Sequence, residues 1–165
     1  MSEGIAALPV LDLLRLQARA VGELRRRGVV RTNNNPTGDY AEHLFISAFG
    51  WDLQTNSKSG YDAEDGDGHR YQIKSRRITA TNRSRQLNVI RGHELNKFHI
   101  LAVVLFDASF AVMRAGLLPH EFVPLFGRLS AHQNGLVVHA EDRFFAHEAC
   151  VDVTEELRAQ QLREG

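Results

Sequence analysis

Cysteine is nearly absent: Cys150 stands alone among 165 residues. An internal disulfide is therefore impossible, no cysteine pair offers a zinc ribbon or redox couple, and a reducing, cytoplasmic setting is expected. Charge of one sign is missing too, because 20 Lys and Arg are balanced by 20 Asp and Glu. The net charge alone points to neither a nucleic acid nor an acidic substrate. No apolar run is long enough to span a bilayer, which predicts no membrane partner. The first twenty residues carry Glu3 and Asp12 where a signal peptide needs a basic segment and an unbroken apolar stretch. There is no lysine in Walker spacing beside Gly66-Asp67-Gly68, no nucleophile elbow around Ser57, Ser59 or Ser75, and no His-x-x-x-His pair among the eight histidines. His69 is the one histidine near the residues singled out below, and a turn role suits it better than that of a catalytic base. The length and the ordinary apolar content predict one domain over residues 1–165 with its own core.

The balanced total conceals a split. Between His69 and Lys97 there are eight Lys and Arg against one acid, Glu94, while Asp62, Glu64, Asp65 and Asp67 crowd the segment just before. Carboxylates hold divalent cations and arginines hold phosphates, so this order suits a metal-dependent enzyme acting on a polyanion. A polar hairpin followed by a solvated arginine loop is the plainer explanation. A calcium loop starting at Asp62 fails, because its fifth position is Gly66, where an oxygen side chain is needed.

Periodicity places the elements. Leu11, Leu14, Val21 and Leu24 predict an amphipathic helix that ends in Arg25, Arg26, Arg27 and Gly28. Tyr40, Ala41, Leu44, Phe45 and Ala48 predict a second helix ending near Gly50, with Thr37 or Asp39 as its cap. A strand to about Thr55, a polar turn over Ser57–Gly60 and a short strand from Tyr61 follow, and Asp65–Gly68 turns the chain. His69–Ser75 alternates as a strand, with Arg70, Gln72 and Lys74 on one face and Tyr71 and Ile73 on the other. Arg76 to about Gln86 reads as a polar loop, with a short helical segment near Gly92–Lys97. Ile100–Phe106 is a continuous β-branched run suited to a strand buried on both faces. A turn at Asp107–Ser109, a strand over Phe110–Arg114, a short helix from Pro119, strands over Leu136–His139 and Val151–Val153, and a terminal helix from Thr154 complete a mixed α/β chain.

Placed on these elements, Glu42, Asp62 and Lys74 supply the groups that phosphodiester hydrolysis requires. Carboxylates hold a divalent ion against the scissile phosphate, and a lysine favours hydroxide and stabilises charge on the reacting phosphate. Gly60-Tyr61-Asp62, a Gly-rich turn and then Tyr71-Gln72-Ile73-Lys74-Ser75, with Glu42 on the preceding helix, resembles the PD-(D/E)xK nuclease superfamily of restriction-endonuclease-like fold. The resemblance covers about residues 37–106. It implies an αβββαβ core with a mixed central sheet flanked by helices, and a Mg2+ ion for which Mn2+ may substitute. Under it Asp62 is the principal metal ligand, Glu42 binds the ion directly or through water, Ile73 lends its backbone carbonyl, and Lys74 orients the water. Gln72 departs from the usual acid: its amide oxygen still suits a hard cation but brings no charge.

Arg76, Arg77, Arg83 and Arg85 follow that strand directly and are expected to bind backbone phosphates without reading base sequence. Asn33, Asn34, Asn35 and Lys58 flank the same helix and strand, and a polar turn explains them equally well. The expected activity is metal-dependent endonucleolytic cleavage of DNA. One site cuts one strand, so a homodimer or a larger nuclease complex is the expected assembly. Two alternatives stand beside it: a nuclease-fold subunit that has lost catalysis and holds DNA or a partner, favoured by Gln72, and an unrelated α/β interaction protein in which the acids and lysine never meet.

Overall fold

A computed structural model describes residues 2–56 and 59–165. A mixed six-stranded sheet in the order β1-β2-β3-β4-β5-β8 forms its centre. The strands are β1 (Asp52–Leu53), β2 (Ala63–Glu64), β3 (Arg70–Arg77), β4 (Ile100–Phe106), β5 (Val112–Pro119) and β8 (Val151–Asp152). Only the β3–β4 pairing is parallel, in a register that sets Ile73 beside Ala102 and Lys74 beside Val103. A separate hairpin of β6 (Gly127–Ser130) and β7 (Gly135–Val138) packs over the same molecule. Among the described residues no helix is long and apolar enough to cross a membrane.

The sheet divides two cores. On one face α3 (Thr37–Phe49) and α5 (Thr154–Glu164) bury Ala41, Leu44, Phe45 and Leu157 against Tyr71, Ile73, Ala102, Val104 and Phe106. On the other, Leu101, Val103 and Leu105 meet Leu87, Ile90, Phe98, Val123, Phe126, Val138 and Phe144, the last from the short helix α4 (Asp142–Phe145). β4 thus contributes alternate residues to both cores, as its unbroken apolar run requires. Two further helices, α1 (Ser2–Ala6) and α2 (Val10–Arg26), precede α3.

Several expectations shift in detail. The connection from β3 to β4 holds only a 3-10 turn at His93–Leu95, so the second helix of the αβββαβ order is replaced by an irregular crossover. This segment is polar up to Gln86 and then gives up Leu87, Ile90 and Phe98 to the core, a spacing without helical period. Neither Thr37 nor Asp39 caps α3; the Asn35 side-chain oxygen accepts the Thr37 N–H at 3.1 Å. Asp39 instead accepts the Arg31 and Thr32 backbone N–H groups at 2.8 and 2.9 Å, fixing the preceding loop. Phe110 belongs to the turn rather than to a strand, with φ of 67°, and Gln161 holds it by donating to its carbonyl at 2.8 Å. The element after Pro119 is a 3-10 helix, His120–Phe126, interrupted by Pro124. Part of the turn expected over Ser57–Gly60, together with Lys58, lies outside the described residues.

Candidate active site

The site is assembled where β2 ends against β3. Asp62 enters this edge in register: its N–H donates to the Tyr71 carbonyl and its own carbonyl accepts from the Gln54 N–H, both at 2.8 Å. Gly60, two residues earlier, has φ of 80°, and an added Cβ there would fall 2.4 Å from the Lys97 side chain. Glycine is therefore needed both for backbone conformation and for close approach.

The Asp62 carboxylate turns onto β3. Its Oδ2 accepts the Ile73 N–H at 2.7 Å and the Gln72 side-chain amide at 2.6 Å. Within a strand, the N–H and C=O of one residue point to the same side. The Ile73 carbonyl is therefore directed to the side of the strand from which Asp62 approaches. Glu42, on the first half of α3, is largely buried and ion-pairs with the Arg31 guanidinium. The chain thus brings Glu42, Asp62, Gln72, Ile73 and Lys74 together from one helix and two neighbouring strands.

Their electrostatics are those of a crowded, poorly solvated set. Burial raises the Glu42 carboxyl, the charge of Asp62 raises it further, and the Arg31 ion pair only partly offsets this, leaving it at about 7. Burial likewise lifts Asp62 above the usual carboxylate range, against the Ile73 N–H and the charge of Lys74. Lys74 is pushed the other way: burial lowers it and the charge of Arg91 adds to that, while Asp62 and Glu42 support its ammonium. Two carboxylates that destabilise each other's charge are a donor set suited to a hard divalent cation, which neutralises both. The free capacity of Asp62, the Glu42 carboxylate, the Ile73 carbonyl and the Gln72 amide oxygen all offer oxygen, so the residues present fit Mg2+ or Mn2+.

Arg31 and Arg91 are the site residues that sequence reasoning missed. Arg31 lies eleven positions before its partner Glu42, in a loop whose shape depends on the Asp39 carboxylate. An arginine followed by a short polar loop and an acidic first helical turn was the only signal for it. Arg91 sits in the irregular crossover, and nothing local to it announces the strand it faces.

The four arginines after β3 have unequal fates. Arg76 donates to the Ser84 carbonyl at 3.2 Å and to Asn82 at 3.1 Å, closing its own loop. Arg77 is held by the Ala108 carbonyl and stacks over the Phe110 ring, on the face of β3 opposite Lys74. Arg85 pairs with Asp142 at 2.6 Å. Arg83 is exposed and forms no ion pair among the described residues. His69 is engaged in the turn by Asp65, at 3.1 Å from its Nδ1. Asp65, Asp67 and His69 form a second, more exposed group with spacing compatible with a metal ion. No protein-family model matches the chain, and no curated protein matches it.

Proposed function

We propose that the chain is a metal-dependent endonuclease that hydrolyses DNA phosphodiester bonds, on the restriction-endonuclease-like core its sequence resembles. The observation carrying this reading is the meeting of two half-buried carboxylates, Glu42 and Asp62, with the half-buried ammonium of Lys74. Two acids and two bases, Lys74 and Arg31, balance in number, so the support lies in the setting: poor solvation holds the Glu42 carboxyl at about 7 and Asp62 above the usual range, and a divalent cation would stabilise both carboxylates.

In this reading Asp62, Glu42, Gln72 and the Ile73 carbonyl hold Mg2+, with Mn2+ as a substitute. The bound ion lowers the pKa of a water and stabilises charge developing on the phosphate. Lys74, destabilised by burial yet held by the two acids, positions a water and favours its hydroxide form. The Ile73 N–H and the Gln72 amide fix one oxygen of Asp62, so the other is aimed without reorganisation. Arg31, now ion-paired with Glu42, would be free to meet a phosphate oxygen if Glu42 held the ion. Arg83 contributes a backbone-phosphate contact from the polar loop; Arg76 and Arg85 support it by tying that loop, while Arg77 anchors the turn after β4.

The test is nicking of supercoiled plasmid and cutting of linear DNA with Mg2+, Mn2+ or EDTA, by wild type, Asp62→Ala and Lys74→Ala. Metal-dependent nicking lost in both variants is the expected result. A second reading, a nuclease-fold subunit that binds DNA or a partner without cutting, draws on Gln72, whose amide hydrogen is spent on Asp62. Salt-sensitive DNA binding by a folded wild type that cuts under no metal would select it. Absence of both cutting and binding would discard both readings.

A further inference from the structure

The helix α2 packs no side chain into either core: none of its seventeen residues is buried. Yet it is strongly two-sided. Val10, Leu14, Gln17, Val21 and Leu24 recur in alternating steps of four and three, the spacing of a helix seam. Asp12, Arg15, Arg19, Glu23 and Arg26 lie on the opposite side, where Asp12–Arg15 and Glu23–Arg26 pair within the helix at 3.1 and 2.6 Å. The charged face is thus satisfied by itself, while the apolar face is uncovered over its first half, where Val10 is 75% exposed and Leu14 56%, and half-covered at Val21 and Leu24.

Two apolar features lie at opposite ends of this helix. At its start project Ile5 and Leu8, 49% and 37% exposed. At its end opens a cavity of about 730 Å3, lined by apolar Leu24, Val29, Val30, Tyr40 and Phe110 together with Arg27, His43, Gln161 and Glu164. Leu24 belongs to both the seam and the cavity wall, so the apolar surface is continuous from one to the other.

We infer that this surface seats a second copy of the chain, with the two α2 helices antiparallel about a two-fold axis near Gln17. In that arrangement each copy's Ile5 and Leu8 reach the cavity at the end of the partner's α2, and the contact is made twice by symmetry. The areas argue for the whole surface being used. Half the cylinder of a helix about 25 Å long is roughly 450 Å2, or about 900 Å2 for the pair. A stable interface buries about 1,200–2,000 Å2, so the helix pair alone falls short and the seat requires the two cavity contacts as well. A parallel pair would leave both cavities open and bring together the two Arg25-Arg26-Arg27 ends. The inference does not rest on the nuclease reading.

Light scattering of the full chain across a concentration series tests it. Wild type is expected at twice the chain mass, and Leu14→Asp, which alters only an exposed side chain, is expected at the monomer mass with its far-UV spectrum retained. In a Cys150→Ala background, a short bismaleimide should join Val10→Cys chains to Leu24→Cys chains when the two are mixed. Val10→Cys chains alone should remain unlinked. A wild type that is monomeric at every concentration overturns the proposal, as does a dimer that survives Leu14→Asp. Self-linking of Val10→Cys overturns the antiparallel seat.

Discussion

Asp62 and Asp65 stand three residues apart in the same acidic segment and in opposite electrostatic settings. Burial acts to raise both. At Asp65 it is outweighed: the His69 and Asp67 N–H groups, the Tyr71 hydroxyl and the His69 ring all donate to the carboxylate, holding it at about 2. At Asp62 burial prevails over two donors and the charges of Lys74 and Arg31, so its carboxyl stays above the usual range. Acidity of the sequence therefore does not locate a cation site. A carboxylate with its lone pairs already satisfied is a turn builder, and one left poorly solvated has something to gain from an ion.

The largest effect that separates the two is on activity. Asp62→Asn should lower metal-dependent plasmid nicking by a factor on the order of 10²–10³, the typical loss of a group that stabilises the transition state. Asp65→Asn should leave nicking at the wild-type rate. Equal loss in the two variants would move the metal to Asp65, Asp67 and His69. Next comes ligand binding: Mn2+ at a hundred times its Kd should stabilise wild type by about 2.7 kcal/mol. Thermal melting should show this shift in wild type and in Asp65→Asn, and not in Asp62→Asn.

Acid titration separates them in the other direction. Because the folded-state pKa of Asp65 is depressed, its contribution to stability is complete above the unfolded value of about 3.9 and is lost as pH falls through about 2. Melting temperatures between those limits should fall for wild type, and Asp65→Asn should remove that part of the slope. The smallest effect belongs to the arginine loop. Arg83→Ala should weaken DNA binding uniformly across sequences and reduce the salt slope by about one, if its contact is to a phosphate. Arg77→Ala, which strips the Ala108 carbonyl and the Phe110 ring of a partner, should instead lower the melting temperature.

What could be read in the sequence follows how local its cause is. The limits of β4 were legible to the residue, since seven consecutive apolar positions leave no solvent face. The faces of β3 were legible as well, because alternation put Gln72 and Lys74 together and Tyr71 and Ile73 in the core. Glu42, Asp62 and Lys74 could be nominated because together they supply the groups phosphodiester hydrolysis needs, in the order the nuclease resemblance carries. The Arg31–Glu42 pair could not, since it depends on a loop shaped by Asp39. Nor could the fates of Arg76, Arg77 and Arg85, whose partners lie 8, 31 and 57 residues away. The hairpin strand β6 was missed because Gly127-Arg128-Leu129-Ser130 places exposed residues at its centre and shows little apolar alternation.

β4 is the wall that both cores share, with Ala102, Val104 and Phe106 facing α3 and α5, and Leu101, Val103 and Leu105 facing the hairpin side. Neither half of the molecule can then open by itself without exposing one side of the same strand. In hydrogen-exchange language, β4 and the β3 and β5 amides bonded to it form the last cooperative unit to exchange, and the short edges β1 and β8 exchange through local opening. Since Lys74 and Ile73 are carried by the strand paired to this wall, the candidate site is anchored to the part of the chain expected to exchange last, while Arg31 and Arg83 sit on loops whose shape rests on a few side-chain contacts.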